Sequence, residues 1–446
     1  MTDSDKTPVE ESDDVAGGRV RLIRITMVAA ACGVLIGGVG GLFRLLLREA
    51  DGARSSAVES AKEWPIAGWV VPVVLVATGA AIARYIVRLV PTAAGSGVQA
   101  VEERWRADTL SPHWTLLPAK FVGGLLAIGS GLALGREGPT VHMGAVIASV
   151  GARRLKLDRE DERTLQAALG GAGLGVAFNA PLGGAFFVFE EVARTFRIRL
   201  TVVTLVGCTV AVTVSRTIVG DHPDFLVDAV LTPPGWLIFF FAVFGLATGA
   251  LGVVYNRLVI GGLGVVDRFS RVPPEACAAV IGGIVGLALW FDPLLAGGGD
   301  LLAQQVLGGG IAFASLTGYL VVRFLIGPLS YAAGTPGGLF APLLVVGAVW
   351  GALVHGVFDP VIGDLGGDPT ALAIVGMATF FAAVVRAPLT GVVLITEMTA
   401  TTNLLVPMLV SCVAAEFMAT WLRGAPIYDT LRARLERSAD ATDPPS

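Results

Sequence analysis

Charge is what this sequence has least of. Lys, Arg, Asp and Glu make up 15% of its 446 residues, against about 25% in a soluble domain. Hydrophobic residues make up 54% and the mean hydropathy is +0.72, so the composition is that of an integral membrane protein. The formal net charge is only −4 and no basic tract occurs, which argues against a nucleic-acid partner. Cysteine is also scarce. Cys32, Cys208, Cys277 and Cys412 lie far apart, mostly in apolar segments, with no CxxC pair and no Cys/His cluster. They read as small buried hydrophobes, with no metal site and no disulfide frame. His113, His142, His222 and His355 are scattered and carry no assigned role. Neither HExxH nor a serine elbow is present, so the chain is not read as an intramembrane enzyme, and no cofactor is implied. A cleavable signal peptide is not evident.

Glycine is plentiful. The 58 glycines are roughly twice the usual share, which in apolar sequence favours close helix packing and broken helices. Gly33, Gly37 and Gly41 recur at four-residue spacing, a packing stripe on the first long helix, expected from Val20 to Arg48. Residues 1–18 are acidic and expected to be disordered. Arg19, Arg21 and Arg24 precede the first apolar run, and Arg423, Arg432, Arg434 and Arg437 follow the last. By the positive-inside rule both termini are expected in the cytoplasm. Many apolar segments fall short of the ~20 residues that cross a bilayer, so they are expected to be tilted, re-entrant or half-crossing.

One stretch stands out against this background, Gly135-Arg136-Glu137-Gly138-Pro139. No other charge occurs from Phe121 to Ala152. An ionisable side chain is costly in a membrane and marks a functional site by default. The flanking glycines and proline break the helix, with a new one expected to begin near Pro139. A helix start gathers free backbone N–H groups, which is where an anion binds.

The motif has a mate. Gly338-Leu339-Phe340-Ala341-Pro342, followed by Gly347-Ala348, repeats the spacing of the first copy, which is followed by Gly144-Ala145. Ala180-Pro181-Leu182 with Glu190 likewise matches Ala387-Pro388-Leu389 with Glu397. The identical order predicts an internal repeat: a first half over 19–220, a linker over 221–234, a second half over 235–438 and a short tail over 439–446. Broken half-helices in matching positions point to a transporter site at the repeat interface. Two such starts, near Pro139 and Phe340, would aim positive dipole ends at one point, and Gly95-Ser96-Gly97 would add a hydroxyl. These features imply a small anion as substrate.

At these residues the chain resembles the CLC family of chloride channels and chloride/proton antiporters, from about Arg19 to Arg437. Three signature segments occur in order: GSGVQ at 95–99, GREGP at 135–139 and GGLFAP at 337–342. The resemblance implies an all-α membrane fold of two inverted-topology repeats with broken and re-entrant helices. It also implies a homodimer in the cell membrane with one pathway per protomer. Its dimer surfaces would be Pro181 to Arg194 with Thr201 to Arg216, and Pro388 to Met398 with Leu404 to Leu422. Carried over by motif, Glu137 resembles the gating glutamate and Glu191 the internal proton relay. Ser96, Leu339, Phe340 and Tyr428 resemble the chloride-binding residues, and Lys120 a lysine that raises the local positive potential. Arg136 and Glu397 are expected to be structural. Gln99 stands where the first signature usually ends in proline. No regulatory nucleotide-binding domain is expected. Carboxylates at both Glu137 and Glu191 supply two proton stations, so the expected function is chloride transport coupled to counter-movement of protons. The alternative is a passive voltage- or pH-gated chloride channel.

Overall fold

The computed structural model describes residues 8–64, 66–107, 112–362 and 369–442. Residues 1–7, 443–446 and the remaining gaps lie outside the described residues. Among the described residues there is no strand, only two isolated bridges, and the fold is built of helices. The first half contains α1 (Pro8–Lys62), α2 (Val70–Leu89), α3 (Val98–Ala107), α4 (Leu116–Ser130), α5 (Glu137–Arg154), α6 (Arg159–Phe178), α7 (Pro181–Phe187) and α8 (Ile198–Val219). The second contains α9 (Ile238–Arg268), α10 (Pro274–Phe291), α11 (Asp300–Leu307), α12 (Phe313–Ala332), α13 (Phe340–Ile362), α14 (Thr370–Val385), α15 (Pro388–Thr399), α16 (Leu405–Trp421) and α17 (Ile427–Thr442).

Among the described residues, 7 helices are long and apolar enough to cross a membrane. The apolar helices α4, α14, α15 and α16 are shorter, which agrees with the expectation of half-crossing segments. Each half folds as a repeat of inverted topology, and the central helices are its least exposed parts. Every residue of α14, and of α6 from Thr164 onward, is buried. Gly144 and Gly347, matched in the sequence repeat, explain the equivalence. A Cβ at Gly144 would strike the Leu169 backbone on α6, and one at Gly347 would strike the Gly376 backbone on α14. The stripe of Gly33, Gly37 and Gly41 packs α1 on α8, against Val210, Ala211 and Ser215 among others.

Several boundaries differ from expectation. Helix α1 is continuous from Pro8 to Lys62, although residues 8–18 were expected to be disordered and Asp51 to Glu63 to form a polar link. Polarity alone does not end a helix, and neither segment contains an internal proline. The polar segment Gly297 to Gln305 opens α11 at Asp300, and the helix runs on to Leu307. Helix α5 begins at Glu137, two residues before the proline expected to open it. Pro139 is thus its third residue, where a missing N–H breaks no intrahelical bond. Pro342 holds the same place in α13. Helix α7 was expected to reach Glu190-Glu191 as one helix. It widens instead into a π-helical turn over Val188–Val192.

Candidate functional site

The two signature loops meet at the centre of the molecule. Gly135 and Gly338 form an antiparallel bridge, each donating its N–H to the other's carbonyl at 2.8 Å. Gly95 pairs in parallel with Pro336 beside it. The helix starts of α5 and α13 are thereby fixed face to face, with the Ser96 loop against them. A Cβ at Gly138 would come within 2.7 Å of Ser96 Oγ, so these loops touch through backbone and only glycine fits there.

Glu137 is fully buried, at 0% exposure. Its Oε1 accepts the N–H of Phe340 at 2.7 Å. A Cβ on either Gly135 or Gly338 would overlap its carboxylate. The carboxylate therefore lies in a seat made of two glycines and the first N–H of α13, where the dipole of that helix favours an anion. Among the described residues its Oε2 has no hydrogen-bond partner. The neighbouring Arg136 does not pair with it. That guanidinium turns away to Ala177 O at 2.8 Å, Asp224 Oδ2 at 2.9 Å and Asp300 Oδ2 at 3.2 Å.

Ser96 and Tyr428 are both buried, and their hydroxyls lie within hydrogen-bonding reach of each other. The Phe340 ring packs on Tyr428 at 5.7 Å and on Phe381 at 4.7 Å. Leu339 is buried at the turn into α13. Lys120 is buried beneath the Ser96 loop, where Nζ donates to Gly95 O at 2.7 Å, Ser96 O at 3.2 Å and Ala94 O at 3.4 Å. Its donors tie the loop's carbonyls together, and Ser96 Oγ lies against Gly138 at the start of α5.

Glu191 belongs to a second group. It is 1% exposed, with Arg194 Nη2 at 3.6 Å from Oε2. Arg194 also reaches Asp429 at 3.2 Å, and Asp429 meets Arg432 at 3.0 Å. Arg432 lies 3.4 Å from Glu102, whose carboxyl is within hydrogen-bonding reach of Glu191. Thus Ser96, Glu137, Leu339, Phe340, Tyr428 and Lys120 come together, and Glu191 stands apart. Tyr428 and Asp429, adjacent on α17, each face one group.

Sequence reasoning passed over Glu102. A signal existed: Val98, Val101 and Glu102 follow an i, i+3, i+4 pattern, and all three are buried. It also left Asp224, in the linker, without a role. Asp224 grips Arg136 and also Arg44, at 2.5 Å.

Paired broken helices that meet inside an all-helical membrane protein are the architecture of ion transporters and channels. Residues 78–420 match the family profile described as "Voltage gated chloride channel". The chain belongs to that family, the CLC family. It is 34% identical over 425 residues to the H(+)/Cl(-) exchange transporter ClcA of Vibrio parahaemolyticus, covering 92% of this chain and 89% of the relative. The same-named protein of Citrobacter koseri is 32% identical, over 94% and 90% of the two chains. A slow cyanobacterial Cl-/H+ antiporter superposes with a TM-score of 0.87 at 30% identity, over 92% of this chain and 98% of that one. A CLC-type fluoride/proton antiporter shares the fold, with a TM-score of 0.75 at 19% identity, over 95% and 98%.

Proposed function

We propose that this chain is a chloride/proton antiporter in which Glu137 is the gate. The observation that carries this reading is the seat of its carboxylate. A tethered anion occupies the N–H group of Phe340 that a free anion would otherwise take. Chloride is strongly hydrated, and a full cationic ligand would hold it too tightly to release. Backbone N–H groups and the hydroxyls of Ser96 and Tyr428 offer partial charges instead, which suits rapid exchange. Protonated, Glu137 loses its attraction for the seat and chloride replaces it. The deprotonated carboxylate and chloride then exclude one another, which ties chloride entry to protonation of Glu137.

Glu191 is the internal proton station, next to Glu102. Lys120 supports the site by fixing the Ser96 loop. The protein works as a homodimer in the cell membrane, one pathway per protomer, with both termini in the cytoplasm. Its two membrane repeats divide near residues 221–234, and it has no enzymatic activity of its own.

Sealed proteoliposomes test this. An imposed chloride gradient is expected to drive protons uphill, and Glu191→Gln to pass chloride with no proton movement. Chloride flux without any proton flux in the unsubstituted protein would leave only the passive channel. Unchanged proton flux in Glu191→Gln would move the relay elsewhere, with Glu102 next in line.

A further inference from the structure

A cavity of about 860 Å³ opens beside the central site on the face that carries α17, lined by Gly95, Gly97, Gln99, Arg104, His142 and Tyr331 among others. Two of these residues touch the Ser96 loop through an arrangement that the signature motifs do not contain. Tyr331, at the end of α12, is 4% exposed and places its hydroxyl 3.5 Å from the Ser96 N–H. Gln99 is 6% exposed and hydrogen-bonds the same phenol. Both groups crowd Gly95: a Cβ there would lie 3.0 Å from Tyr331 Oη and 3.7 Å from Gln99 Nε2. With Nε2 turned to the phenol, Gln99 Oε1 has no partner.

The phenol oxygen accepts from Ser96 N–H and from Gln99 Nε2–H. Its own O–H is left to donate. The contact to Ser96 is at the long limit of a hydrogen bond, so it is weak and readily exchanged. Beside a cavity that borders the Ser96 loop, a free O–H donor and a loosely covered N–H suit a small monovalent anion.

Given the anion path proposed above, we infer that Tyr331, oriented by Gln99, is an anion-contact residue on the approach from this cavity. Its oxygen covers the Ser96 N–H when the approach is empty. When chloride enters, the O–H donates to it and the Ser96 N–H is released to do the same. Gln99, where the usual proline has no donor, supplies an amide N–H that holds the phenol. Gln99 is the second residue of α3, where a backbone N–H has no intrahelical partner to lose, so Gln99→Pro deletes the brace and keeps the helix start.

Chloride titration by calorimetry on the purified full-length protein tests this, with thermal unfolding recorded for each variant. Tyr331→Phe is expected to weaken chloride binding roughly three- to tenfold, the loss of one neutral hydrogen bond, with little change in unfolding midpoint. Gln99→Pro is expected to weaken it less. The double variant is expected to bind no worse than Tyr331→Phe alone, since Gln99 acts through the phenol. Undiminished affinity in Tyr331→Phe would remove Tyr331 from the path. Additive losses in the double variant would refute the bracing role of Gln99. If Tyr331→Phe fails to fold, Gln99→Leu decides: weaker binding at an unchanged midpoint supports the brace, and unchanged binding overturns it. Unsubstituted protein that binds no chloride would overturn the central anion site itself, and Tyr331's part with it.

Discussion

Glu190 and Glu397 cap each other's helices across the two repeats. Glu190, in the π-helical turn after α7, accepts the N–H groups of Leu389 at 3.0 Å and Thr390 at 2.6 Å, at the start of α15. Glu397, near the end of α15, accepts those of Leu182 at 3.1 Å and Gly183 at 2.7 Å, at the start of α7. Each start follows Ala-Pro with nearly the same backbone, φ −126° at Ala180 and −127° at Ala387. The clasp satisfies N–H groups that have no intrahelical partner, and it sets a carboxylate at each positive helix end.

The two caps differ in one respect, and that difference makes a prediction. Glu190 is followed by Glu191, whereas Glu397 is followed by Met398. Glu397→Ala is expected to lower stability by about 1–2 kcal/mol, the range for a lost cap, and to leave the ratio of protons to chloride unchanged. Glu190→Ala is expected to lower stability by a similar amount and also to reduce proton flux, because the turn carrying Glu191 is released. Thermal unfolding and liposome flux read the two effects separately. Equal flux ratios in the two variants would confine Glu190 to a structural role.

The gate makes a prediction about pH. Deprotonated Glu137 competes with chloride for the Phe340 N–H, and the protonated acid does not. Chloride flux should therefore rise as pH falls. Glu137→Gln, which is always neutral, should remove that dependence and the proton coupling while chloride still passes. Efflux recorded over a pH series checks both points. A steep pH response that survives in Glu137→Gln would place the titrating group elsewhere.

Gly135 offers a second handle on the same seat. The nearest atoms a Cβ would meet there are all in the Glu137 carboxyl group. Gly135→Ala should push the carboxylate out and disturb little else. The expected outcome is chloride flux with weakened proton coupling, in a protein whose unfolding midpoint stays close to that of the parent. Full coupling in Gly135→Ala would mean that the carboxylate does not need this seat.

Much of this arrangement was legible in the sequence because its signals are local. A charge pair in apolar surroundings, glycines and a proline at fixed spacing, and two matched motif pairs place the helix breaks. They lead to Glu137, Phe340 and Ser96 without any knowledge of the fold. What was not legible depends on distant partners. Ser96 and Tyr331 are 235 residues apart, and Asp224 and Arg136 are 88 apart. Nothing near Gln99 reveals that its amide meets a phenol from the other repeat. Glu102 was obscured by Glu103 beside it, since two acids on a short polar helix read as a solvated face until the burial of Val98 and Val101 fixes its orientation.

Asp224 carries the last prediction. It is a linker residue with a nearly buried side chain, 7% exposed, and its two oxygens bind Arg44 at 2.5 Å and Arg136 at 2.9 Å. Removing one partner from a buried charge group leaves the others unpaired, which costs about 3–5 kcal/mol. Arg136 also has Asp300 and Ala177 O, and Arg44 also has Val176 O at 2.8 Å, so the lower end of that range is expected for Asp224→Asn. Replacing Arg44 as well removes one of the two charges left unpaired. The double variant Arg44→Met/Asp224→Asn should therefore be less destabilised than the sum of its single changes, by at least about 1 kcal/mol. Thermal unfolding of the four proteins gives this coupling directly. Simple additivity would show that Asp224 holds the linker in place by some means other than its hold on Arg44.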